Sequence, residues 1–143
     1  MPEAATPRLS AASEAWRLVG ELWHEQKQRV TAIASEFELS PPQVWALRSL
    51  DPDDPVPMSA LAETLRCDAS NVTGIVDRLQ DRGLVERRPA QHDRRVKHLV
   101  LTERGTALRA QLLARLDAPP APIAALSPED QRLLRDLLRR ALD

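Results

Sequence analysis

Apolar residues recur at alternating three- and four-residue steps from Trp16 through Val19, Trp23, Val30 and Ile33 to Phe37, with only Gln26 breaking the seam. This spacing predicts one long helix, roughly Ser13 to Glu38, whose apolar stripe something must cover. The chain's own core is one cover. A partner helix is the other, and the heptad-like period suits it equally.

Ser40 is placed to cap a second helix, with Pro41 and Pro42 in a first turn where a missing N–H costs little. Val44, Trp45, Leu47 and Leu50 give that helix an apolar face, and "DPDDPVP" then breaks the chain. Ser59 opens a short third helix with Leu61, Ala62 and Leu65 inward. Asp68 is placed to cap a fourth, Ala69 to Arg82, which Gly83 ends as a residue able to take positive φ. "LVERR" and "VKHLVL", joined by "PAQHDRR", form a hairpin, the only sheet this pattern predicts. Thr102 caps a helix with Leu108, Leu112, Leu113 and Leu116 on one side, and "DAPPAPIAALSPED" interrupts it. A last helix, Pro128 to Leu142, carries Leu133, Leu134, Leu137, Leu138 and Leu142. The expected class is mainly α with a small β-hairpin, in the order ααααββαα. Residues 1–10, with Pro2 and Pro7, are expected to be a loose tail, and residues 11–143 a single domain.

Composition narrows this picture. A chain of 143 residues can bury a core of ordinary size, and 43% hydrophobic with 29% charged residues is globular composition. No apolar run approaches the roughly 20 residues of a membrane span. "MPEAATPRLSAASEAW" lacks the basic-then-apolar layout of a secretory signal. Cys67, the sole cysteine, excludes an internal disulfide framework. A cytoplasmic protein without a membrane partner is expected. The net charge of −1 says nothing about nucleic acid, but its distribution does. Between Arg66 and Arg104 nine basic residues face six acidic ones, a surplus of three against −4 for the remainder.

In the fourth helix Val72, Ile75, Val76 and Leu79 share the core face, leaving Ser70, Asn71, Thr73, Gly74, Asp77 and Arg78 on the other. Gly74 costs about 1 kcal/mol against alanine inside a helix. Close approach to DNA would account for it; tolerated drift would too. Two short helices joined by a turn form a helix-turn-helix, whose second helix fits a major groove about 12 Å wide. Asn71 offers the donor and acceptor that adenine needs, and Arg78 suits guanine or phosphate. Ser70 and the free N–H groups of the helix N-terminus suit a phosphate. The adjoining hairpin is then a wing. Its tip, with Arg94, Arg95 and Lys97, suits the negative potential of a minor groove.

The run "SNVTGIVDRLQDRGLVERRPAQHDRRVKHLVLTERG" resembles the winged helix-turn-helix core of the MarR (multiple antibiotic resistance regulator) family. The matching marks are Asn71-Val72-Thr73, Asp77-Arg78-Leu79, Arg82-Gly83-Leu84-Val85, Asp93-Arg94-Arg95 and Leu101-Thr102-Glu103-Arg104-Gly105. The resemblance implies a winged helix-turn-helix over about 40–104, flanked by N- and C-terminal dimerisation helices over about 13–38 and 102–142. It implies a homodimer that binds double-stranded DNA at a pseudo-palindromic operator and represses nearby genes until a small ligand or an oxidant releases it. By the same resemblance Arg95 enters the minor groove, and Asp93 is the carboxylate that orients it through an i, i+2 salt bridge.

Other candidates carry less. A lone cysteine is ordinarily a small buried hydrophobe; oxidant sensing through Cys67, beside Arg66, is the alternative. The reactive cysteine of oxidant-sensing relatives lies near the first helix instead. His24, His92 and His98 share no ligand-like spacing, and "HEQKQ" lacks the second histidine of a zinc helix, so neither metal nor other cofactor is expected. Trp16, Trp23, Trp45 and Arg48 fall near the cleft where relatives bind aromatic acids, so an aromatic anion is the effector class to consider. Core packing and surface solvation are the plain alternatives. An enzyme is not expected, since the chain lacks a phosphate-cradling glycine loop, a Ser-Xaa-Xaa-Lys motif and a nucleophile–base pair. With no tyrosine and one phenylalanine, single-strand stacking platforms are missing too. A winged-helix module for protein contacts remains the rival class.

Overall fold

The computed structural model describes residues 10–143. They form α1 (Ala11–Glu36), α2 (Pro41–Ser49), β1 (Val56–Pro57), α3 (Met58–Leu65), α4 (Ala69–Asp81), β2 (Val85–Pro89), β3 (Lys97–Leu101), α5 (Glu103–Asp117), α6 (Ala121–Ala124) and α7 (Pro128–Leu142). Side chains close most of the helix starts, where backbone N–H groups lack partners. Ser10 accepts from Ser13 N–H at 3.1 Å, Asp68 from Asn71 N–H at 2.9 Å, and Ser127 from Asp130 N–H at 3.1 Å. At α2 the amide oxygen of Gln43 accepts from Ser40 N–H at 2.7 Å. The tail expected over residues 1–10 falls outside the described residues except for Ser10, which caps α1.

Three expectations need correction. The sheet has three strands in the order β1-β3-β2, because Val56 and Pro57 pair with Leu99 and His98. Two residues are too few to display alternation, and prolines 55 and 57 read as breakers. An edge strand, however, tolerates proline. The third helix opens at Met58 behind Pro57, not at Ser59. The segment between α5 and α7 holds the short helix α6, with a proline in the first turn where its missing N–H is harmless.

The core draws on every layer of the winged module. Ile33 and Ala34 of α1, Val44 and Leu47 of α2, Leu61 of α3 and Val72, Val76 and Leu79 of α4 meet Leu84, Val85, Leu99 and Leu101 of the sheet region and Leu112 of α5. The stripe of α1 is therefore covered only at its C-terminal end. Trp16 and Trp23 stand 77% and 62% exposed, and no residue of α7 is buried.

Arginines join the layers by donating to carbonyls at helix ends, which have no partners within their own helix. Arg82 reaches Glu38 O at 2.7 Å and Phe37 O at 3.0 Å; Arg109 reaches Leu47 O at 3.0 Å; Arg29 reaches Arg115 O at 2.8 Å and Ala118 O at 2.7 Å.

A tighter clasp sits between α4 and α5. Gly83, at φ +68°, ends the α4 turn. Thr102 then donates its hydroxyl to Gly83 O at 2.6 Å and its N–H to Leu84 O at 3.1 Å, while its Oγ accepts from Gly105 N–H at 2.9 Å. Gly105 lies so close to Leu84 that a methyl group there would run into the Leu84 carbonyl. Gly105→Ala should therefore destabilise the fold by about 1–3 kcal/mol, the usual cost of overpacking. Gly74→Ala should be neutral or stabilising by up to about 1 kcal/mol, because open space surrounds Gly74. Urea midpoints of the two variants check the contrast.

Candidate nucleic-acid interface

Helix α4 buries Val72, Val76 and Leu79 and leaves Ser70, Asn71, Thr73, Gly74, Asp77 and Arg78 exposed, as the periodicity predicts. At its N-terminus the Asp68 carboxylate accepts from both Asn71 N–H and the Ser70 hydroxyl, each at 2.9 Å. The Asn71 N–H, and after it the Ser70 hydroxyl, hold the Asp68 carboxyl below its usual range. The sign follows: this capping contribution is complete above the ordinary carboxylate range and is lost as pH falls through the lowered value. The carboxylate thus already occupies the helix end expected to serve a phosphate, and the Ser70 hydroxyl is turned toward it. Thr73 donates its hydroxyl to Ala69 O at 2.8 Å. Asn71 and Arg78 keep their side chains free of hydrogen-bonding partners among the described residues.

The wing is the β2–β3 ladder, from Val85 opposite Leu101 to Pro89 opposite Lys97. Ala90 N–H donates to Val96 O at 2.9 Å and Val96 N–H to Asp93 O at 3.1 Å, so Arg94 and Arg95 are the two central residues of a tight turn. Both are exposed, as is Lys97. Asp93 does not ion-pair with the Arg95 guanidinium. Its carboxylate accepts from the Arg95 backbone N–H at 2.9 Å instead. Within one turn that N–H lies in reach of a short side chain, whereas the long arginine stem carries its charge outward. Asp93 shapes the tip and leaves Arg95 unpaired.

Two concavities flank α2. A smaller one of about 400 Å³ is lined by Trp23, Lys27 and Val30 of α1, Trp45 and Arg48 of α2, and Leu116 of α5, among others. Arg48 lies 5.9 Å over the Trp45 ring and pairs with Asp117 at 3.1 Å. Trp23, Trp45 and Arg48 are thus brought together; Trp16 does not line this cavity. A larger groove of about 900 Å³ also borders Trp45 and Arg48, then runs past Cys67 to Ser70, Asn71, Gly74 and Arg78. Cys67 is a half-buried free thiol on its wall. Sequence reasoning missed Arg87, whose guanidinium pairs with Asp77 at 2.6 Å. The available signal was alternation, which puts Arg87 on the same strand face as Val85.

A model of the MarR family matches residues 39–97, which run from the end of α1 through the first residue of β3. The transcriptional repressor NicR of Pseudomonas putida is 31% identical over 130 residues, 87% of this chain and 82% of its own. The chain belongs to the MarR family. As a MarR-family protein it is a DNA-binding transcriptional regulator. Wild-type MarR of Escherichia coli shares the fold at a TM-score of 0.80 and 21% identity, over 96% of this chain and all of that one. A MepR variant of Staphylococcus aureus bound to an oligodeoxyribonucleotide has the MarR fold at a TM-score of 0.64 and 20% identity, over 94% and 97% of the two chains. Among the described residues, no helix of this MarR-family chain is long and apolar enough to cross a membrane, and no three His, Cys, Asp or Glu cluster to hold a metal ion.

The Asp93 geometry separates two variants. Asp93→Asn keeps an oxygen that can accept the Arg95 N–H, so DNA affinity should hold or rise as a charge that repels phosphate is removed. Asp93→Ala should open the turn and weaken binding. Fluorescence anisotropy on one duplex checks the order; equal losses in both variants would show that the charge itself matters.

Proposed function

We propose that this chain is a homodimeric repressor that reads a pseudo-palindromic operator and is released by a small aromatic anion. In this reading α4 lies in the major groove. Asn71 contacts a base, Arg78 a guanine or a phosphate, and Gly74 lets the helix press close. Ser70 and Thr73 border the groove edge, while Arg94, Arg95 and Lys97 carry the wing to the minor groove, with Asp93 shaping its tip. One observation carries the reading: an exposed polar face of α4, with Asn71 and Arg78 unpartnered among the described residues, stands beside a wing whose turn displays two exposed arginines. The relative named a repressor and the DNA-bound neighbour of the same fold support it. A regulator of this kind works in the cytoplasm.

Uncovered apolar surface supports the homodimer. Trp16, Val19 and Trp23 on α1 and Leu133, Leu137 and Leu138 on α7 are exposed, on the two elements assigned to dimerisation together with α5. Residues 11–143 then form one domain whose reading head spans about 40–104. The cavity between Trp23, Trp45 and Arg48 supports the effector class: two aromatic rings for stacking, with Lys27 for a negative charge and Arg48, which an anion would share with Asp117, beside it.

Binding-site selection and a salt series test the DNA face. Asn71→Ala should relax base preference within each half-site, at about 1–3 kcal/mol for the removal of a bidentate pair. Arg95→Ala should weaken binding to every duplex and flatten log affinity against log salt by about one unit for each phosphate it no longer neutralises. An unchanged preferred sequence in Asn71→Ala would put the recognition face elsewhere. Leu134→Asp combined with Leu138→Asp should give monomers or an unfolded chain in sedimentation, and a folded monomeric wild type would overturn the dimer.

A further inference from the structure

Arg87 stands at the middle of β2, opposite Leu99 in the ladder. Strand alternation turns it to the side of Val85 and toward α4, while Glu86 and Arg88 pair with each other at 2.9 Å on the opposite face. One terminal nitrogen of its guanidinium donates to the Asp77 carboxylate at 2.6 Å, and the other donates to the Gln80 amide oxygen at 2.6 Å. Residues 77 and 80 are neighbours on one face of the helix. A planar fork can hold both at once; a lysine ammonium, a compact point charge, cannot.

The Arg87 side chain is 23% exposed and that of Asp77 is 55% exposed. An ion pair so open to water adds little to stability. Its consequence is geometric. β2 is the root of the wing, and the arginine-bearing turn lies beyond the far end of the ladder, so a small rotation of the ladder against α4 swings the tip through a larger arc.

We infer that Arg87 is a positioning residue for DNA binding: by holding Asp77 and Gln80 it sets the angle between recognition helix and wing at which Asn71 and Arg95 engage one half-site together. The inference rests on the interface proposed above. Arg87 acts through α4 and makes no phosphate contact of its own.

The test is a double-mutant cycle between residues that do not touch. Affinities of wild type, Arg95→Ala, Arg87→Gln and the double variant are measured on one operator duplex over a range of salt. Arg87→Gln should bind about tenfold more weakly, within the range of coupled residues, with its salt slope unchanged and its thermal midpoint near that of wild type. Arg95→Ala should cost much less in the Arg87→Gln background than in wild type, because a wing set at the wrong angle no longer brings Arg95 to the groove. Arg87→Lys should not restore binding. Asp77→Ala probes the same clamp from the helix side by removing the acceptor, and should weaken binding although it also removes a negative charge beside DNA. It carries the cycle if Arg87→Gln fails to fold. Additive losses would overturn the inference, as would a salt slope in Arg87→Gln flattened by about one unit, the mark of a direct phosphate contact. A wild-type affinity that Arg95→Ala leaves unchanged would instead overturn the interface itself, and the clamp with it.

Discussion

The reading head depends on how closely the first turn of α5 approaches the backbone of Leu84. Gly105 permits that approach and Thr102 holds it from both sides, through the carbonyls of Gly83 and Leu84. The end of the recognition helix, the start of the first wing strand and the start of a helix assigned to dimerisation are thereby gathered within a few residues. Buried Leu84, Val85 and Leu101 fill the space behind the contact. A side chain at position 105 would force the layers apart, because protein interiors transmit a misfit more readily than they absorb it. The end of α4 and the root of the wing both start from this one junction.

Much of the fold is legible because it is written in local chemistry. Periodicity marks the buried face of α4, Asp68 and Thr102 mark helix starts, and Gly83 marks an end, each through a mechanism that acts within a few residues. The miss at β1 has the opposite character. Val56 and Pro57 become a strand only because β3 offers them a free edge, and no window along the chain contains that fact. Arg66 and Glu38, at φ 51° and 55°, escape for a related reason. A left-handed turn signals itself when glycine fills it, and here ordinary side chains do.

The candidate site is legible as residue types but not as partnerships. Asn71, Arg78, Arg94 and Arg95 follow from the exposed face of a helix and the tip of a hairpin, and both positions are as expected. For Asp93 the expectation names the right residue, Arg95, and the wrong atom of it, because spacing cannot tell a backbone N–H from a guanidinium. Ser70 reads as free although Asp68 claims its hydroxyl. The role of Arg87 depends on strand and helix meeting at a particular height, which alternation alone does not supply.

Trp45 and Arg48 form a party wall: the same two side chains line the cavity against α1 and the groove that runs along α4. An occupant of the first space would therefore touch side chains that also line the second. Linkage then makes the effect mutual, for if an occupant of the cavity lowers affinity for an operator by some factor, the operator must lower affinity for that occupant by the same factor. Under the proposed release by a small ligand, a chain poised on DNA would be a poorer receptor than one adrift in solution. In a cell holding many more copies than operators, the free copies would soak up the signal first and set the concentration at which the bound ones let go.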